Sequence, residues 1–98
     1  MDEATENWIK SSDYDIKTAT ALLKSKRYLY VIFMCHLSVE KALKALVVHV
    51  AKQAPPKVHD LGRLAELAGI SIPERHHPIM SHLNENMMPA TALMQMPK

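Results

Sequence analysis

The sequence is poor in glycine and in aromatic residues. Its 98 residues include two glycines, one tryptophan, three tyrosines and one phenylalanine. Few glycines and few aromatic residues, together with many Ala, Leu, Lys and Met, favour helices over a β fold. The single cysteine, Cys35, excludes an internal disulfide and is typical of a protein from a reducing cytosol.

Long apolar runs and a strong net charge are also missing. The formal net charge is +2, with 22% charged and 48% hydrophobic residues. No apolar run approaches the roughly 18 residues of a membrane span, and the acidic N-terminus does not resemble a signal peptide. We therefore expect one soluble, cytoplasmic, all-α domain with no membrane partner. A chain this short buries only about 60–65% of its unfolded surface, so a partner subunit would add stability.

The spacing of apolar residues predicts two long antiparallel helices, a short third helix and a partial fourth. The first covers residues 5–25 and the second residues 28–53, where two prolines follow. A short third helix begins at the N-cap Asp60 and ends before Gly69. Residues 28–35 are apolar on every side, which predicts that several elements enclose the start of the second helix.

Two starts are compatible with the fourth helix. It can begin near Pro73 and kink at Pro78, or it can begin at His77 and run to about Met88, which we favour. We expect Pro89 to interrupt it. Residues 87–98 are predicted to be a divergent tail, which is either disordered or an adaptable, methionine-rich binding surface.

Six histidines raise the question of a metal site. The chain has no His-Glu-x-x-His and no Cys-x-x-Cys sequence, and neighbouring helical histidines point about 100° apart. We therefore expect neither a metal nor another cofactor. The histidines are His36, His49, His59, His76, His77 and His82.

Arg75 and His82 are the candidate catalytic residues. On one continuous helix a separation of seven places two side chains on the same face, about 10 Å apart along the axis. An arginine that holds a phosphate and a histidine that moves a proton are the groups that metal-free RNA cleavage requires. By contrast, Cys35 is expected to be a buried structural thiol rather than a nucleophile.

Several polar residues on the first two helices have two interpretations. Asp15 is either a boundary carboxylate paired with a nearby lysine or a group aimed into a binding site. Glu40 and Lys44 are either a solvated i, i+4 ion pair or ligand contacts. His36 is either a core histidine or a catalytic base. The candidates for a nucleotide-binding site are Asp15, His36, Glu40, Lys41, Lys44 and His59, and Lys57 could add a positive charge.

Four sequence patterns, taken in their order along the chain, resemble the HEPN family (higher eukaryotes and prokaryotes nucleotide-binding domain). The first pattern starts at Trp8, after which apolar residues recur every three or four positions along the first helix. The run Glu-Lys-Ala-Leu-Lys-Ala-Leu at residues 40–46 is the most recognisable part. His-Asp-Leu at 59–61 and Leu-Asn at 83–84 complete a resemblance that covers roughly residues 8–86.

The resemblance implies an all-α, up-and-down helical bundle of four helices, which commonly forms a homodimer and is often encoded beside a nucleotidyltransferase, as a toxin–antitoxin pair. Many members are metal-independent ribonucleases with an Arg-x4–6-His motif in a composite cleft, and Arg75 and His82 fit this motif. Other members bind nucleotides or are non-catalytic partners. The chain is thus either a nucleotide- or RNA-binding subunit with ribonuclease activity, or a dimerisation module that binds a nucleotidyltransferase.

The sequence departs from the family pattern after Asn84. Relatives continue through a Tyr and an Ala-Arg-Tyr-Pro segment into one more helix, whereas residues 86–93 have a different sequence. This difference predicts that a truncation or frameshift removed the last helix. An apolar stripe of the bundle would then be uncovered, which makes dimerisation more important.

Overall fold

Over its described residues the chain forms four α-helices joined by loops. A computed structural model describes the backbone of residues 2–94 and the side chains of residues 2–85. The helices are α1 (Glu3–Lys24), α2 (Tyr28–Ala51), α3 (Leu61–Ala68) and α4 (His77–Met94), with a 3-10 turn at Glu74–His76 directly before α4. The prediction of an all-α bundle is therefore confirmed. In the described part of the chain no helix is long and apolar enough to cross a membrane.

Local signals in the sequence determine where the helices start and stop. Asp2 Oδ1 accepts a hydrogen bond from the Thr5 backbone N–H (2.7 Å), which caps α1. Asp60 caps α3 in the same way, through the Arg63 backbone N–H (3.0 Å). Gly69 ends α3 in the left-handed conformation, with φ 72°, which glycine adopts without strain. The predicted N-cap and C-terminal glycine of α3 are both confirmed.

The second helix is the centre of the bundle, because α1, α3 and α4 all pack against it. The hydrophobic core lies where α2, α3 and α4 meet, and it is formed by Leu43, Leu61, Leu64, Ala65 and Leu83. Burying aliphatic side chains of this size stabilises a fold by about 1.5–3 kcal/mol each. This core holds α3 and the loop before it at a fixed place on α2.

The start of α2 differs from the expectation. Tyr28 is exposed and residues 29–35 are only half-buried in the single chain, so no set of elements encloses them as predicted. At this end of the bundle a short turn joins α1 to the start of α2. The core that α2 forms with α3 and α4 lies further along α2, around Leu43.

The fourth helix begins where we favoured but ends later. It starts at His77, whereas its backbone stays helical through Pro89 to Met94, so the prediction that Pro89 interrupts the helix was wrong. A proline removes one backbone donor from a helix, and here that loss does not end it. The two interpretations of the tail surface concern side chains beyond residue 85, which lie outside the described residues, as do residues 95–98 altogether.

Candidate functional site

Glu40, near the middle of α2, is the centre of a polar cluster beside the core. Its Oε1 lies 2.9 Å from Nδ1 of His59, which belongs to the loop before α3. Its Oε2 accepts a hydrogen bond from Lys44 Nζ at 3.0 Å, one helical turn later. Both Glu40 and Lys44 are buried. They form an i, i+4 ion pair, but this pair is not solvated as the first interpretation described it. The carboxylate thus ties a loop to the central helix.

His36, one turn before Glu40 on α2, is the fourth member of the cluster. Its ring is buried, and Nδ1 lies 3.6 Å from Glu40 Oε1, which is too far for a good hydrogen bond. This nitrogen has no hydrogen-bond partner among the described residues. Burial lowers the pKa of His36, although the Glu40 charge and hydrogen bonds to the Asn84 side chain and the His59 backbone act in the opposite direction. At neutral pH His36 is therefore an uncharged core histidine.

Two residues outside the candidate set support the cluster. Asn84 on α4 accepts a hydrogen bond from the Leu61 backbone N–H at 3.1 Å, which secures the start of α3. Trp8 on α1 places its ring 5.7 Å from Lys44 Nζ, a cation–π distance. The spacing of apolar residues predicts only that Trp8 packs in the core. Asn84 is notable in the sequence only because Leu-Asn at 83–84 belongs to the HEPN-like pattern.

Asp15 and Lys41 form a second, separate ion pair between α1 and α2. Lys41 Nζ lies 2.7 Å from Asp15 Oδ2 and donates to Ser11 Oγ at 2.8 Å. The first interpretation of Asp15, a carboxylate paired with a lysine, describes this contact, although the lysine comes from the neighbouring helix. The six candidate nucleotide-binding residues therefore separate into two groups, and a carboxylate already engages each of their two lysines.

Arg75 and His82 lie on one helical segment. Arg75 belongs to the 3-10 turn Glu74–His76, which continues without a break into α4, where His82 is in the second turn. Both residues are exposed. In an ideal 3-10 turn followed coaxially by an α-helix, two side chains at this separation would leave the same side, about 11 Å apart along the axis.

The other chemical candidates offer little. Cys35 is half-buried rather than fully buried, and burial raises the pKa of its thiol, so it is a poor nucleophile at neutral pH. Among the side chains that the structure describes, no group of three or more His, Cys, Asp or Glu residues is arranged to hold a metal ion.

Comparison with known proteins gives one match. The family model described as "HEPN domain" matches residues 5–92, which is most of the chain and extends past the region of resemblance seen in the sequence. No curated protein and no solved structure matches the chain significantly.

Proposed function

Because the chain belongs to the HEPN family, we propose that it binds RNA and cleaves it without a metal ion. Membership of this family supports a function that involves nucleotides or RNA. The observation that carries this proposal is that Arg75 and His82 are both exposed, one in the 3-10 turn Glu74–His76 and the other in the second turn of α4, which follows that turn directly. The Arg75 guanidinium can hold a phosphate by two parallel hydrogen bonds. His82 can take the proton of the ribose 2′-hydroxyl as its oxygen bonds to phosphorus. The P–O5′ bond then breaks, which leaves a 2′,3′-cyclic phosphate, and the departing 5′-oxygen takes a proton from water.

The nucleotide-binding part of the proposal concerns both polar groups. We propose that one is formed by His36, Glu40, Lys44 and His59, and that the separate ion pair of Asp15 and Lys41 supports it. The ion pairs of Lys41 and Lys44 favour a supporting role for both lysines, because a paired, largely buried ammonium group has little capacity left for a phosphate.

The test is cleavage of a mixed-sequence RNA by the purified protein in excess EDTA. We expect the wild type to cleave, and Arg75→Ala and His82→Ala each to lose at least about a hundredfold in rate, as is typical when a proton-transfer group is removed. Matched controls are Arg63→Ala and His49→Ala, which replace an exposed arginine and an exposed histidine elsewhere. Equal activity in the Arg75 and His82 variants and in the controls would reject this pair as the catalytic site.

A second candidate function is a non-catalytic homodimer that binds a nucleotidyltransferase partner, as in a toxin–antitoxin pair. The observation in its favour is an apolar surface along α1 and α2. Ile9 and Leu46 line one groove of about 260 Å³ between these helices, and Ile16 and Val50 extend the surface with exposed side chains. Apolar patches of this kind are typical of interfaces.

Light scattering tests the dimer directly. Leu46→Glu should convert a dimer into a monomer, whereas Ile79→Glu, at an exposed isoleucine of α4, should not. A wild type that is dimeric and binds a nucleotidyltransferase encoded beside its gene, but does not cleave RNA, would favour this second function. A wild type that is monomeric at high concentration would reject it.

A further inference from the structure

The four side chains of the Glu40 cluster differ sharply in their access to solvent. His36 and Glu40 are 1% and 5% exposed, and Lys44 is 9% exposed. His59 is 63% exposed. A ligand that approaches from solvent can therefore touch His59, whereas the other three can act on it only by positioning His59.

Glu40 determines which nitrogen of His59 carries the proton. Lys44 can only donate, so the carboxylate accepts at Oε2 (3.0 Å) and also at Oε1, 2.9 Å from His59 Nδ1. A carboxylate has no proton to give, so Nδ1 is the protonated nitrogen of the neutral ring. Nε2, on the far side of the imidazole from Glu40, is then a hydrogen-bond acceptor.

The surroundings of His59 hold this arrangement in place. Its backbone contacts the buried His36 ring, and the Leu61 N–H, two residues later, bonds to Asn84 Oδ1 at 3.1 Å. The loop is thus tied to α2 and α4 before any ligand arrives, which reduces the entropy lost on binding. The charge of Lys44 balances that of Glu40, so no uncompensated carboxylate behind the ring repels an anionic strand.

We propose that His59 Nε2 accepts a hydrogen bond from a ribose hydroxyl of the bound RNA, so that Glu40 and His59 make the protein select RNA over DNA. The inference rests on the proposed function for the class of ligand. The chemistry follows from the acceptor at Nε2. Within the sugar–phosphate backbone the phosphate oxygens only accept, so the 2′-hydroxyl, which DNA lacks, is the donor that can reach Nε2, whereas the N–H donors of the bases are common to RNA and DNA and give no such preference. Glu40, Lys44 and His36 are positioning residues in this site.

The decisive variant is His59→Asn. An asparagine Nδ2 stands near the place of the histidine Nδ1, so this side chain can keep the bond to Glu40 while it removes Nε2. The matched control is His49→Asn, at an exposed histidine of α2. Urea unfolding of each variant shows whether the tie to Glu40 is kept: His59→Asn should be about as stable as the wild type.

Binding is measured at pH 8 by fluorescence anisotropy with three labelled strands of one sequence: RNA, 2′-O-methyl RNA and DNA. Every protein in this assay also carries His82→Ala, so that the RNA is not cleaved during the measurement, and the wild type is here the protein with an unchanged His59. The 2′-O-methyl strand keeps the sugar shape but has no hydroxyl donor. One neutral hydrogen bond corresponds to about a three- to tenfold difference in affinity. We expect the wild type to prefer RNA over 2′-O-methyl RNA by that factor, and His59→Asn to lose the preference without a change in 2′-O-methyl RNA binding.

The possible failures are distinguishable. If the wild type binds no nucleic acid, both the proposed function and this inference are rejected. If it binds RNA and 2′-O-methyl RNA equally, or if His59→Asn weakens both equally, only the inference is rejected. Nitrogen-15 NMR of the imidazoles gives a second reading without RNA: a His59 ring protonated at Nε2 rather than Nδ1 would also overturn it.

Discussion

Ser12 and Ser38 bond to each other's backbone across the interface of α1 and α2. Ser12 Oγ donates to the Ser38 carbonyl oxygen at 2.6 Å, and Ser38 Oγ donates to the Ser12 carbonyl oxygen at 2.9 Å. This reciprocal pair requires the two helix backbones to approach closely, and it specifies their relative register. The register also sets Asp15 opposite Lys41 and brings Trp8 to Lys44.

Ser38→Ala should lower the free energy of unfolding by about 1 kcal/mol, because it leaves the Ser12 carbonyl without its buried donor. Urea denaturation measures the change, and Ser81→Ala, at an exposed serine, is the control. In a double-mutant cycle with Ser12→Ala, additive effects would show that the two bonds are independent and would contradict a reciprocal pair.

Glu40→Gln should destabilise the fold strongly, by about 3–5 kcal/mol, because it leaves the buried Lys44 ammonium group without its partner charge. Glu40→Gln combined with Lys44→Met should recover part of that loss, because no buried charge remains. Thermal and urea unfolding of the single and double variants measure both effects. A single variant as stable as the wild type would show that the pair is solvated in solution.

The stability of the protein should fall as the pH drops below about 6.5. Burial lowers the pKa of His36 from its usual value of 6.5, so on acidification the unfolded chain takes up a proton before the folded chain does. The free energy of unfolding therefore decreases with falling pH until the folded-state pKa is reached, by at most about 1.4 kcal/mol per pH unit for this one proton.

Unfolding in urea at pH 7.5 and pH 5.5, for the wild type and His36→Asn, isolates this contribution from that of other groups. The difference between the two pH values should be smaller in the variant. An identical pH dependence in both proteins would show that His36 has the same pKa in the folded and unfolded states.

Gly69→Ala should cost about 1–2 kcal/mol, because residue 69 has φ 72° and a Cβ disfavours the left-handed conformation. A new Cβ would meet no neighbouring atom within 4 Å. The cost therefore comes from the backbone conformation of residue 69 and not from a clash with other residues. Gly69→Asn is the matched variant, since asparagine tolerates this conformation better, and it should be less destabilising. Equal losses in the two variants would point to another cause.

Much of the secondary structure could be predicted because its determinants are local. Asp60 and Gly69 identify both ends of α3, since a side-chain cap and a left-handed glycine act within one turn of the chain. Pro89 is the exception. A proline weakens a helix by a known local amount, but whether the helix continues depends on the whole segment.

The candidate site was less predictable, because burial and partner choice depend on contacts distant in sequence. Spacing alone brings Glu40 and Lys44 together, and the structure does contain that pair. Spacing contains no information that His59, in a loop, bonds to the same carboxylate. It also gave no sign that the pair is buried beneath that loop rather than solvated.

The sequence by itself determined the helical class, most helix boundaries and the likeness to the HEPN family, because these depend on periodicity, caps and short motifs. Only the tertiary structure decided which of the candidate residues remain accessible. The close packing of α1 on α2 pairs Lys41 with Asp15 and places the Trp8 ring beside Lys44. In the packed bundle His36, Glu40 and Lys44 are buried. His59 remains at the surface because its loop passes over the core, and that difference in exposure is a property of the packed chain rather than of any local segment.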